Sequence, residues 1–287
     1  MEAAVTFQGV SKKFKDFAVE DLTFTIPKGY VTGFIGANGA GKSTTIKLLL
    51  QLIDQDQGTI QVLDMDYSKH ELDIKERIGF VFDENVFYED LTVQQMKRFI
   101  AKSYKQWDEA LFQEYVIKFN LPLKRKIKKL SKGMKMKTAL AFALSHHADL
   151  LIMDEPTSGL DPVMRRDLLD MFQEIMQDEE KTIFFSTHIT TDLERIADFI
   201  LFMDEGKLLL DCPLHEINEQ YGLVKGANEL LDNDTKKEFV SIRQSKLGFE
   251  ALTKDVERAK ELFGDEVIIE NVGLEEMMYF FKKGVSA

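Results

Sequence analysis

The chain has 287 residues, 44% of them hydrophobic and 30% charged, with a formal net charge of −12. That length suits one large unit plus a small one, and the acidic balance argues against broad nucleic-acid binding. The single cysteine, Cys212, excludes an intramolecular disulfide framework and a multi-cysteine metal site; no apolar run of ~18 residues marks a membrane span and no secretory signal opens the chain, so a cytoplasmic protein is expected.

Strand-like runs are predicted at residues 4–7, 22–26, 30–35, 59–63 and 78–82, and again at 150–153, 182–186, 200–203 and 207–210. Several are continuous apolar runs, as expected of central strands covered on both faces. A helix is predicted over 42–53, directly after the third run. Between 91 and 148 the strands stop and the pattern turns helical, with breaks near Asn120-Leu121-Pro122 and Leu130-Ser131. This stretch reads as a helical insert between two halves of an α/β core. The stripe Met164, Leu168, Met171, Phe172, Ile175 and Met176 is the core face of a further helix. From 219 onward the order is strand, helix, strand, helix at 238–242, 253–263, 266–269 and 274–281; Leu274, Met277, Met278 and Phe281 have the i, i+3, i+4, i+7 spacing of a buried helical face. Gly222, Gly226 and polar neighbours make 218–233 the expected boundary between a first unit, 1–218, and a small α/β unit, 219–287.

The residues Gly36-Ala37-Asn38-Gly39-Ala40-Gly41-Lys42-Ser43 fit G-x-x-x-x-G-K-[ST] between a predicted strand and a predicted helix. Glycines let the backbone turn its N–H groups around a phosphate. The lysine sets a point charge on the β/γ-phosphates, the serine hydroxyl ligates Mg²⁺, and the helix N-terminus favours the anion. Gly36, Asn38, Gly39, Gly41, Lys42, Ser43 and Thr44 are therefore the candidate nucleotide-binding residues. Further on, the apolar strand 150–153 runs into Asp154 and Glu155. Carboxylates at the carboxyl end of a parallel strand sit where ligands bind; Asp154 is placed to hold Mg²⁺ and Glu155 to act as base toward an attacking water. Pro156 stops the strand.

Together with Leu130-Ser131-Lys132-Gly133-Met134, Asp154-Glu155-Pro156-Thr157, Ser158-Gly159-Leu160-Asp161 and Ser186-Thr187-His188, in this order, the chain resembles the ATP-binding subunits of ABC transporters over roughly residues 1–215. The resemblance implies a P-loop ATPase core with an antiparallel β edge, a helical subdomain at about 91–148, and a head-to-tail dimer, homomeric or heteromeric, enclosing two MgATP. It implies a separate transmembrane permease that contacts the transported substrate, and a place on the inner face of the cell membrane. Residue by residue, Ser131 and Gly133 would face the partner's γ-phosphate, and Asp161 would lie in the loop that crosses the dimer interface. His188 would contact the γ-phosphate and orient water with Glu155, and Phe14 would stack on adenine. Lys132 and Met134 depart from the family's Gly and Gln; this spelling looks like that of single-cassette ATPases serving bacterial exporters of peptides, antibiotics or lipids. Asp83 stands where the family has a Gln that senses Mg²⁺ and links to the permease, with Glu84 and Asn85 as neighbours that would serve if the loop is shifted. Phe80, Phe82, Phe87 and Tyr88 flank it, as core or as a groove for a membrane partner's helix. Residues 124–137 carry eight basic side chains and no acid; this is a solvated face, or a field favouring the nucleotide or anionic lipid. His146 and His147 read as ordinary core or surface histidines. The competing readings are a soluble relative acting on ribosomes or nucleic acid, which generally has two cassettes or a long coiled coil that this chain lacks, and a non-catalytic regulatory subunit, against which Glu155 and His188 count.

Overall fold

The computed structural model describes residues 1–82 and 87–284. Its first third holds strands β1 (Ala3–Lys13), β2 (Ala18–Pro27) and β3 (Val31–Ile35), helix α1 (Lys42–Leu49), strands β4 (Gln57–Val62) and β5 (Met65–Asp66), helix α2 (Tyr67–Arg77) and strand β6 (Ile78–Val81). Helices α3 (Val93–Ile100), α4 (Glu109–Lys118) and α5 (Lys132–Leu144) follow without a strand among them. The chain then alternates through β7 (Leu150–Asp154), α6 (Pro162–Ile175), β8 (Thr182–Thr187), α7 (Thr190–Ile196), β9 (Phe199–Asp204), β10 (Lys207–Pro213) and α8 (Leu214–Gln220). It closes with β11 (Gly222–Gly226), β12 (Phe239–Ser245), β13 (Gly248–Thr253), α9 (Val256–Phe263), β14 (Val267–Asn271) and α10 (Leu274–Gly284).

Two sheets build the nucleotide-sized core. One is antiparallel, in the order β2-β1-β4-β5; the other runs β10-β9-β3-β8-β7-β6, parallel except for the β9–β10 hairpin. All five residues of β3 and of β7 are buried, as their mainly apolar sequences, broken only by Thr32 and Asp154, suit strands covered on both faces. One apolar cluster, including Phe24, Phe34, Ile46, Ile152 and Phe184, joins the antiparallel sheet and α1 to one face of the parallel sheet. A second, on the opposite side, joins α5, α6 and α7 to α10. Helices α3 to α5 form the expected insert between β6 and β7, and this is the α/β P-loop architecture with its antiparallel edge.

The structure departs from the sequence reading in places with clear causes. Helix α1 ends at Leu49 rather than continuing to 53: Gln51 takes the left-handed region (φ 52), and Leu52 N–H donates to Lys47 O while Gln51 N–H donates to Leu48 O. That is a Schellman stop made by Gln, with no glycine to announce it. In the C-terminal unit, residues 222–226 form a central strand of the sheet β12-β13-β11-β14. Its glycines are small for packing: a Cβ on Gly222 would meet Val256 at 2.8 Å, and one on Gly226 would meet the Phe249 ring at 2.9 Å. The order and the antiparallel pairing match a split β-α-β arrangement whose first crossover lacks an α-helix. Residue 253, expected to open a helix, instead ends strand β13. No helix among the described residues is long and apolar enough to cross a membrane.

Candidate active site

The loop from β3 to α1 carries Gly39 at φ 84 and Gly41 at φ 115, left-handed positions that a side chain disfavours. Gly36 has a different constraint: a Cβ there would lie 2.3 Å from Met203 O of β9, so the loop is pressed against the neighbouring strand. Gly39 faces open space, with nothing within 4 Å of its would-be Cβ. The result is a cleft of about 560 Å³ lined by Phe17, Asn38, Gly39, Gly41, Lys42, Ser43, Thr44, Asp154 and Glu155. Its size is that of a small-molecule site.

The Lys42 ammonium is buried at the closed end. It donates to Gly36 O (2.8 Å) and Ala37 O (3.3 Å) and lies 3.2 Å from Glu155 Oε1. That last contact is an ion pair without hydrogen-bond direction, so buried Oε1 accepts no hydrogen bond. The other oxygen, Oε2, is 2.8 Å from His188 Nδ1. Lys42, Glu155 and His188 thus form one chain of polar contacts across the cleft.

Asp154 and Glu155 are consecutive, and in a regular strand their side chains would point to opposite faces. Both line the same cleft because β7 ends at Asp154 and Glu155 adopts a left-handed backbone (φ 50). Ser186 of β8 fixes the turn: its hydroxyl donates to Asp154 Oδ1 and accepts the Glu155 N–H (3.1 Å), while its carbonyl accepts the same N–H. Carrying a non-glycine residue at such a φ costs about 1 kcal/mol, which these bonds offset.

The other sequence-predicted residues fall elsewhere. Phe14 is largely exposed and stacks on Phe17 with ring centroids 6.4 Å apart; Phe17 is the aromatic that lines the cleft. The Phe14 N–H to Phe17 O bond (2.7 Å) closes the turn that brings Phe17 over Gly41. A second aromatic three residues on was the available signal. Ser131 is exposed, caps α5 by accepting the Met134 N–H (3.3 Å), and does not line its own chain's cleft. Gly133 is buried beside Met164 of α6, where a Cβ would come within 2.5 Å of Met164 Cε. Lys132 lies over Gly159, and Asp161 caps α6 by accepting the N–H groups of Val163 and Met164 at 3.1 Å. Asp83, Glu84 and Asn85 lie outside the described residues. Of the flanking aromatics, Phe87 packs against Phe142, whereas Phe80 and Phe82 line a groove of about 420 Å³ with Leu50, Leu52, Tyr67 and Tyr104. Within the basic run, Lys128 and Lys126 pair with Asp90 and Lys135 with Glu89. His146 is a core residue stacked on Tyr104 (3.8 Å), and burial lowers its pKa.

Nucleotide and metal fit this geometry. The open, left-handed glycine loop is an anion cradle, and the orphaned Glu155 Oε1 faces it beside Lys42. Among the described residues no group of three or more His, Cys, Asp or Glu forms a free-standing metal site. Among the described residues, the Ser43 hydroxyl and the Asp154 carboxylate at the cleft suit a Mg²⁺ that arrives with phosphate oxygens.

Comparison with known proteins shows the family. Residues 19–158 match the ABC transporter family model. The bacitracin transport ATP-binding protein of Bacillus licheniformis is 33% identical over 205 residues, covering 71% of this chain and 67% of that protein. The lantibiotic transport ATP-binding protein of Streptococcus pyogenes is 32% identical over 229 residues, covering 79% and 95%. A solved structure of an ATP-binding subunit of an ABC transporter superposes with a TM-score of 0.68 at 29% identity, covering 76% of this chain and 92% of that one. The chain belongs to the family of ABC-transporter ATP-binding proteins, and is an ATPase of that family. Membership implies use of ATP and Mg²⁺.

Proposed function

We propose that this chain powers an exporter. The observation that carries the catalytic part is the chain Lys42–Glu155–His188 across the closed end of the cleft. Lys42 passes from Glu155 to the β/γ-phosphates when ATP enters. Glu155, held by its own backbone bonds to Ser186, takes the proton from the attacking water, and His188 orients that water and the γ-phosphate. Mg²⁺, when bound at Ser43 and Asp154, neutralises charge on the phosphates. The products are ADP and phosphate.

The second half of the proposal is a shared site. Ser131, exposed at the start of α5, and the Gly133 N–H face a partner's γ-phosphate, in a homodimer or with a second ATPase subunit. Asp161, at the N-cap of α6, lies in the loop that crosses the dimer interface. A separate permease docks on the groove around Phe80 and Phe82, which places the protein on the inner face of the membrane. The bacitracin and lantibiotic relatives support an amphipathic peptide, antibiotic or lipid as the exported substrate; the permease contacts it.

Complementation tests the shared site. Lys42→Ala and Ser131→Arg subunits are each inactive as homodimers. Mixed, they contain one site with both elements intact and recover part of the activity. If both residues served a site within one chain, every site would carry a lesion, and absence of recovery would overturn the proposal.

A further inference from the structure

Helix α7 has seven residues and begins two residues after His188. Three neighbours hold it. Toward the strand that feeds the phosphate loop, Leu193 lies directly on Gly33: a Cβ on Gly33 would be 2.3 Å from Leu193 Cδ2. Toward α6, Arg165 pairs with buried Asp192 and donates to Thr191 Oγ1, and Arg195 pairs with Asp170 at 2.6 Å. The third neighbour is α10, which comes from the C-terminal unit.

The contact with α10 is a cap supplied in trans along the chain. Gly273 occupies the N-cap position, its carbonyl accepting the Met277 N–H at 3.0 Å. A glycine brings no side chain to the free N–H groups of the first turn. Glu194, 80 residues earlier, does so instead: its Oε1 accepts the Leu274 N–H at 3.0 Å. The fit is close, since a Cβ on Gly273 would lie 3.3 Å from that oxygen. The carboxylate also sits at the positive end of the helix dipole. Beneath it, Leu193, Ile196, Leu274, Met277 and Phe280 share one buried cluster.

We propose that Glu194 is a positioning residue through which the C-terminal unit sets the His188–Glu155 contact, and so the rate of hydrolysis. The inference rests on the reading of His188 given above. With the cap made, α7 is fixed on three sides, and the chain entering its first turn holds His188 at Glu155 Oε2. With the cap released, only apolar packing joins α10 to α7, α7 shifts, and the histidine leaves its place. Misplacement of a reacting group by a fraction of a bond length suffices to slow a reaction.

The test uses the full chain and measures kcat and KM for MgATP by phosphate release, with the unfolding temperature. Glu194→Ala lowers kcat about 10-fold, within the range of side-chain-mediated coupling, and changes KM less than about 2-fold. Glu194→Gln, whose amide oxygen still accepts the Leu274 N–H, restores most of kcat. In a His188→Ala background, Glu194→Ala has no further effect. If Glu194→Ala unfolds the chain, Gly273→Asp opens the same clasp: it gives α10 its own cap and repels Glu194, and it lowers kcat alike. Wild-type kcat in the folded variant, or an equal loss with and without His188, would overturn the inference. So would a parallel change of kcat, KM and unfolding temperature. His188→Ala with wild-type kcat would remove the underlying reading first, and this inference with it.

Discussion

Glu155→Gln separates two jobs that the structure gives one side chain. As the base nearest the phosphate loop, its loss lowers turnover by roughly 10²- to 10⁴-fold. As the partner of Lys42, its loss acts on binding in the opposite direction. The two charges are 3.2 Å apart with side chains 6% and 13% exposed. At an effective dielectric of 20 their attraction is about 5 kcal/mol before desolvation. Desolvation takes back much of that, leaving about 1.5–3 kcal/mol, the lower part of the range for close charge pairs. ATP must displace that contact, and an anionic Glu155 also repels the incoming γ-phosphate. The variant should therefore bind a non-hydrolysable ATP analogue about 10- to 100-fold more tightly than the wild type, and should accumulate an ATP-bound dimer. Titration calorimetry reads the affinity, light scattering the dimer, and phosphate release the turnover. Unchanged turnover would remove Glu155 as the base. Equal affinities in the two proteins would show that the Lys42–Glu155 pair does not compete with nucleotide.

Two further outcomes follow from the aromatic and histidine placements. Phe17→Ala should weaken ATP binding about 5- to 100-fold, the usual worth of stacking a base on a ring, and Phe14→Ala should weaken it less; the reverse order by fluorescent-nucleotide titration would return the adenine contact to Phe14. Burial lowers the His146 pKa below 6.5, so the unfolded chain binds a proton that the native chain resists, and stability is lost as pH falls below that value. His146→Phe keeps the ring stack on Tyr104 and should flatten the acid side of the melting-temperature profile relative to wild type; parallel profiles would refute that origin.

The phosphate loop was legible because its glycines, lysine and serine answer a local demand of backbone and charge. The same holds for β7, an apolar run ending in Asp154 with Glu155 next to it. Features decided by distant contacts were not legible. Gly222 and Gly226 look in sequence like linker glycines, yet they are small so that Val256 and Phe249 can cover a central strand. Phe17 and Phe14 sit on the same turn, and only the folded turn shows which ring reaches Gly41. That Asp154 and Glu155 share a cleft depends on one left-handed residue, which Ser186 holds from another strand. The cap from Glu194 to Leu274 has no local signature, because a glutamate in the middle of one helix and a glycine before another carry no mark of each other.

Helix α10 covers an apolar face assembled from much earlier residues: Leu193 and Ile196 of α7 pack with it, and the Phe281 ring meets Phe202 edge-on at 5.9 Å. Synthesis delivers these partners in the wrong order for comfort. While residues 274–284 are still in the ribosome, every phosphate-binding side chain has emerged, but this face has no cover. An uncovered apolar face on a growing chain is a site for chaperones and for self-association. A chain shortened before 274 keeps that face for life. It would retain each residue needed to grip a nucleotide and still be the less soluble protein, so that its loss from the soluble fraction would say nothing against the chemistry of the site.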